Sequence, residues 1–120
     1  MKIRWLRVAV AGVLVEVALL AIAIPLNMTP PGRAVLLYSV IPLCIAGTLM
    51  GGWWAARSAD GHCVIHGLLV GVVAGLIYGV LTWRIALPLA YIIGNYLKLA
   101  GGAAGGWLAQ RVRVSGVPAS

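Results

Sequence analysis

Glu16 and Lys98 are the residues whose chemistry stands out, because each is a formal charge inside a long apolar run. An acid there can serve as an exchangeable carboxylate in a proton or cation path, or it can be neutralised by a base at the same depth. Asn95 lies one helical turn from Lys98 and has an amide that can donate to the same carboxylate. His62 and His66 are four apart, with Cys63 beside the first, and so share a helix face that suggests metal or haem. Two histidines supply only two ligands, and adding Asp60 and Cys63 matches no strong ligand spacing, so neither metal nor cofactor is expected. The plainer reading of this segment is an interfacial turn whose histidines face water and headgroups. The chain has no P-loop, dinucleotide fingerprint or nucleophile elbow. With Asp60 and Glu16 as its only acids, carboxylate-based hydrolysis is implausible and no enzymatic activity is expected.

The composition says what must hold these residues. Of 120 residues, 62% are hydrophobic and 9% charged, against roughly 45–50% and about 25% in a soluble domain. That excludes an ordinary water-soluble globule, a disordered tail and a disulfide scaffold. The formal net charge of +7 is spread thinly between apolar runs and forms no basic stripe, so membrane topology explains it better than nucleic acid. Cys44 and Cys63 are read as free thiols.

Four segments are long enough to cross a hydrocarbon core of about 30 Å: about 6–26, 34–56, 64–83 and 85–109. They lack the alternation of barrel strands, so the expected fold is an all-α polytopic four-helix bundle occupying 1–120 as a single transmembrane domain. The first span has a basic lead of Lys2, Arg4 and Arg7, but Glu16 interrupts it and it is long for a signal peptide, so it is expected to stay as an anchor. Residues 27–33 and 57–61 read as turns, and Trp83-Arg84 as a very tight one. The sequon at Asn27 lies too close to the membrane for use. Pro88 is placed near the start of span four and Pro42 mid-way along span two, where a kink is expected.

Loop charges orient the bundle. Lys2, Arg4, Arg7, Arg57, Arg111 and Arg113 lie on one side, and Arg33 and Arg84 on the other. The excess places both termini in the cytoplasm. Trp5, Trp53, Trp54 and Trp107 mark that boundary, and Trp83, Tyr38 and Tyr91 the opposite one.

Segments 46–57 and 100–111 share A-G-x-x-x-G-G-W-x-A-x-R at a constant offset of 54. The chain reads as a parallel tandem repeat of a two-helix unit, about 6–57 and 64–111. Burial against lipid cannot pull helices together, whereas close packing of small residues can. Gly47 with Gly51, Gly101 with Gly105, and the series Gly67, Gly71, Gly75 and Gly79 are therefore expected as packing faces. Trp53 with Arg57 and Trp107 with Arg111 are expected to anchor at anionic headgroups.

Depth decides what Glu16 and Lys98 do. At 1.5 Å per residue, Glu16 lies about 15 Å in from Leu6 and Lys98 about 16 Å in from Ala109. Both reach the midplane, where a lone charge costs roughly 2.5–3.5 kcal/mol on insertion scales. Opposite charges at one depth should pair, which would pack spans one and four side by side.

Ala11-Gly12-Val13-Leu14-Val15-Glu16-Val17 resembles the first span of small multidrug resistance transporters. That resemblance implies a Glu16 that exchanges protons for cationic drugs, although a lysine at the same depth would repel such substrates. Gly51-Gly52-Trp53-Trp54-Ala55-Ala56-Arg57 and His66-Gly67-Leu68-Leu69-Val70-Gly71 are similar to the G-G-[WF]-x-A-x-R and H-G-L-L-V-G motifs of small bacterial four-span inner-membrane proteins. This second likeness implies a bacterial inner-membrane location and no particular activity. The function expected is that of a structural or accessory subunit that self-associates or joins a larger membrane complex. The alternatives are a proton-coupled transporter using Glu16 and a cofactor-bearing subunit using His62 and His66.

Overall fold

The computed structural model describes Ile3, residues 5–57 and residues 62–114, the side chains of 113 and 114 excepted. Lys2, Arg4, Asp60, most of the 57–61 turn and the side chain of Arg113 lie outside the described residues. Four α-helices make up the fold: α1 (Trp5–Asn27), α2 (Pro30–Ala56), α3 (Cys63–Leu81) and α4 (Leu89–Val114).

Local chemistry sets the helix ends. The turn expected over 27–33 shrinks to Met28 and Thr29, because the prolines begin α2 instead of preceding it. Thr29 caps α2, its hydroxyl accepting from Gly32 N at 3.2 Å, and prolines occupy the first two helical positions, where a missing donor costs nothing. The connection from α3 to α4 is longer than expected. Helix α4 starts at Leu89, not near 85, because Pro88 disfavours helical backbone at Leu87. Helix α2 continues through Pro42.

Among the described residues, α1, α2 and α3 are long and apolar enough to cross a membrane. At 1.5 Å per residue the 19 residues of α3 span about 28 Å. Helix α4 is longer, at 26 residues, but Asn95, Lys98 and its glycines make it less apolar.

Contacts fix the helix directions. Gly51 meets Val15, and Gly47 meets Leu19, so α1 and α2 are antiparallel. Gly106, Gly102 and Lys98 of α4 meet Cys63, Gly67 and Gly71 of α3 in reverse order. Gly94 and Gly101 meet Val40 and Ile45 in the same order, so α2 and α4 are parallel. The start of α1 and the end of α4 therefore share one end of the bundle. Helices α2 and α3 each touch all three others, whereas no Cα of α1 comes within 8 Å of one in α4.

Two neighbouring glycine pairs on α4 serve different partners. Gly101 and Gly105 lie against Ile45, Thr48, Leu49 and Trp53 of α2, while Gly102 and Gly106 lie against Cys63, Gly67 and Gly71 of α3. A Cβ at Gly102 would collide with the Gly67 carbonyl, so backbone meets backbone there. The first copy of the motif meets other neighbours: Gly51 faces α1 and α3, and Gly52 faces Gly102. The expected α3 stripe is only half used. Gly67 and Gly71 are packed, Gly75 is in ordinary contact with Asn95, and Gly79 has nothing within 4 Å. The reason is divergence: beyond Glu16 on α1 and beyond Ala74 on α3 no residue is buried. The bundle is tight at its termini end, and α1 and α3 splay toward the turns at 28–29 and 82–88, while α2 and α4 stay in contact there at Val40 and Gly94.

The surface is that of a protein turned inside out. Leu6, Leu76, Val80 and Leu89 are exposed, whereas Glu16, Lys98, Thr48 and His66 are buried. Lipid resolves this inversion, because an apolar exterior is at no disadvantage in hydrocarbon.

This packing predicts opposite outcomes for two glycines on adjacent helices. Gly102→Ala should lower the thermal midpoint in detergent, with an overpacking cost of about 1–3 kcal/mol. Gly79→Ala meets open space and should leave the midpoint unchanged or raise it, since alanine favours helix by about 1 kcal/mol. Circular dichroism melts of the two variants compare them directly.

Candidate functional site

Glu16 on α1 and Lys98 on α4 meet in the middle of the bundle. Lys98 Nζ donates to Glu16 Oε2 at 2.8 Å, and the residues are 2% and 1% exposed. The ammonium also lies 4.5 Å from the centroid of the Tyr78 ring on α3, within cation–π range. Helices α1 and α4 are not side by side, as the depth argument had expected. They stand diagonally, and two long side chains span the gap between them while α2 and α3 fill the flanks. Equal depth brought the charges together; it carried no information about which helices are neighbours. Gly71 makes the geometry possible, because a Cβ there would strike the backbone of Lys98 and push α4 away.

Asn95 does not serve the carboxylate. Its Nδ2 donates to the Gly75 carbonyl at 3.4 Å, and its Oδ1 is buried with no hydrogen-bond partner among the described residues. Gly75 is in ordinary van der Waals contact with Asn95, which puts its carbonyl within reach of the amide. Thr48 is buried beside Gly101, and its hydroxyl donates back to Cys44 O at 2.7 Å. It fills the α2–α4 interface without a free polar group.

A cavity sits on the ion pair. It has room of about 60 Å³. Glu16, Lys98, Asn95, Tyr78, Tyr91 and Cys44 line it together with leucines and valines of α1 and α2. These lining residues belong to the splayed half. In the opposite direction Val8, Ala11, Val15, Ala55, Val70 and Ala74 form a closed apolar cluster.

The two histidines part company. His62 is exposed, has left-handed backbone (φ 55°, ψ 42°) and starts α3 without a side-chain cap. His66 is fully buried, with Nδ1 2.8 Å from the His62 carbonyl oxygen. The expectation that both face water and headgroups is thus corrected for His66, which sits on the inner face of α3 next to Gly67. Among the described residues no group of three or more His, Cys, Asp and Glu is placed to hold a metal. Cys63 is buried and its thiol lies 3.6 Å from Ala56 O.

At the termini end, guanidinium groups stack on indoles. Arg57 lies 4.9 Å from the Trp53 ring and Arg111 5.2 Å from the Trp107 ring. A third pair was not read from sequence. Arg7 stacks on Trp54 at 3.9 Å and donates through Nε and Nη2 to the Trp54 carbonyl at 3.1 and 2.8 Å. That carbonyl is one of the last four of α2, which have no partner inside the helix. Arg7 read simply as a topogenic charge; no spacing rule links it to a helix end 47 residues away.

No family model, curated protein or solved structure matches the chain.

Breaking a buried pair leaves an uncompensated charge, at a cost of about 3–5 kcal/mol, while replacing both partners with apolar groups can be neutral or stabilising. Glu16→Leu and Lys98→Met should each lower stability strongly, and the double variant should recover most of the loss. A double-mutant cycle of unfolding in mixed micelles measures this. Additive losses would mean that the two groups do not interact.

Proposed function

We propose that this chain is a non-enzymatic integral membrane protein of four spans, a structural or accessory subunit of the bacterial inner membrane with both termini in the cytoplasm. The observation that carries this reading is that the intramembrane acid and base neutralise each other within one chain, while the outer surface is apolar. A carboxylate held at 2.8 Å by an ammonium is a poor ligand for a cationic substrate, which argues against the transporter reading. Helix α4 is taken as the fourth span. It runs antiparallel to α3, its glycines seat against two apolar helices, and its one midplane charge is paired.

Several observations support the finer points. The loop-charge excess lies at the termini end, where Arg7, Arg57 and Arg111 stack on tryptophans, as expected of anchors facing anionic headgroups. The shared motif at an offset of 54 supports descent from a duplicated two-helix unit. Assembly with a second copy or another membrane subunit follows from how little soluble surface a bundle with such short turns offers. The open groove of Gly75, Gly79 and Leu76 between α3 and α4 leaves room for a neighbouring helix.

Crosslinking in native membranes is expected to trap the chain with itself or with a larger subunit, and recovery of monomer alone would count against the reading. In reconstituted liposomes no solute flux should depend on this chain. A flux abolished by Glu16→Gln would replace the structural role with transport.

A further inference from the structure

Three polar functions at the floor of the cavity have more hydrogen-bonding capacity than the protein meets. The Lys98 ammonium has three donors, of which one goes to Glu16 while another side of the group faces the Tyr78 ring. The Glu16 carboxylate has two oxygens and, among the described residues, a single hydrogen bond. Asn95 Oδ1 is buried and has no hydrogen-bond partner among the described residues. All three side chains line the same cavity. Were a lipid tail to fill it, each would keep a bare donor or acceptor in hydrocarbon, which is costly for every such group.

The volume fits a different occupant. One water needs roughly 10–15 Å³ of such space, so about 60 Å³ takes a few. Water bonds well only where two to four polar partners converge, which describes this floor. The walls point one way. Leu19, Leu20 and Ala23 lie beyond Glu16 on α1, and Leu36 and Val40 lie before Cys44 on α2. Those positions are on the turn side of the ion pair, and the packed cluster of Val15, Val70 and Ala74 closes the termini side.

We propose that this cavity is a one-sided hydration site. Water enters from the end of the bundle bearing the 28–29 and 82–88 turns, donates to Asn95 Oδ1 and Glu16, and accepts from Lys98. The pair is thereby a solvated site reached from one face of the membrane and sealed from the other. This goes beyond the structural role proposed above and rests on it only in placing the chain across a membrane.

The test uses single cysteines introduced into a Cys44→Ser, Cys63→Ser background in sealed vesicles, with a charged, membrane-impermeant methanethiosulfonate on one side at a time. Met28→Cys reports the turn side. Val40→Cys should be labelled only from the side that labels Met28→Cys, and Val70→Cys should be inert from both. Inert Val40→Cys beside reactive Met28→Cys, or labelling of Val40→Cys from the opposite side, overturns the proposal. Labelling of Met28→Cys from both sides of tight vesicles would instead strike at the membrane reading. Should that background not fold, the unaltered chain gives the same comparison, with Cys44 at the cavity and Cys63 in the packed half. A second measurement is independent of labelling. Asn95→Leu should lower the thermal midpoint if water satisfies Oδ1, since it removes a hydrated group. A raised midpoint would mean that the amide oxygen sits bare in a dry cavity, and the proposal would fail.

Discussion

A carboxylate and an ammonium in the middle of a hydrocarbon layer depend on the protein itself for support. Glu16 and Lys98 meet this constraint by finding each other across the diagonal of the bundle, and much of the architecture follows. Two side chains have to reach past α2 and α3, so those helices must leave a passage between them. The backbone of α4 must come close enough for Lys98 to extend inward, and glycine at 71 permits that approach. The Tyr78 ring gives the ammonium a second favourable face. A helix register slip on either side would move a charge by several ångströms and part the pair, so the interaction selects one alignment of the first and last helices.

Glycine does the complementary work. Apolar side chains gain nothing by leaving lipid for the protein interior, so the helices cohere where their surfaces are smooth enough for backbones to touch. In this chain those surfaces crowd into the half that holds the termini. Helix α4, with two glycine pairs on adjacent faces, is wedged between α2 and α3 there. In the other half α2 and α4 stay in contact at Val40 and Gly94, while α1 and α3 bury nothing further and a cavity opens among the four helices. The ion pair lies where the tight half gives way to the open one, with packed aliphatic side chains on one side and a polar-floored cavity on the other.

Much of this is legible in the amino-acid sequence. Hydropathy marks the three most apolar helices to within a few residues. Rise per residue puts Glu16 and Lys98 at one level. What depth cannot supply is azimuth, and for that reason the pairing could be anticipated while the adjacency of α1 and α4 could not. The same gap explains the α3 glycines: a spacing of four shows that they share a stripe, but only the divergence of the helices leaves Gly79 in open space while Gly67 is pressed against α4. Boundaries moved where proline chemistry was weighed too lightly, at Pro30 and Pro31, which open α2, and at Pro88, which delays α4. The Arg7 clamp on Trp54 depends on where two distant helix ends meet in space, and no local pattern carries it. His66 reads as part of an interfacial turn from its place near the start of the third span, although its helix face turns inward.

The 82 positions separating the acid from its base also impose an order of events during synthesis. At about 5–20 residues per second, the ribosome needs roughly 4–16 s to reach Lys98 after passing Glu16. The first helix must therefore wait for seconds with a carboxyl group whose base has not yet been made. Only when α4 arrives can the ionic contact form, so the last of these four helices to emerge is the one that locks the first in place.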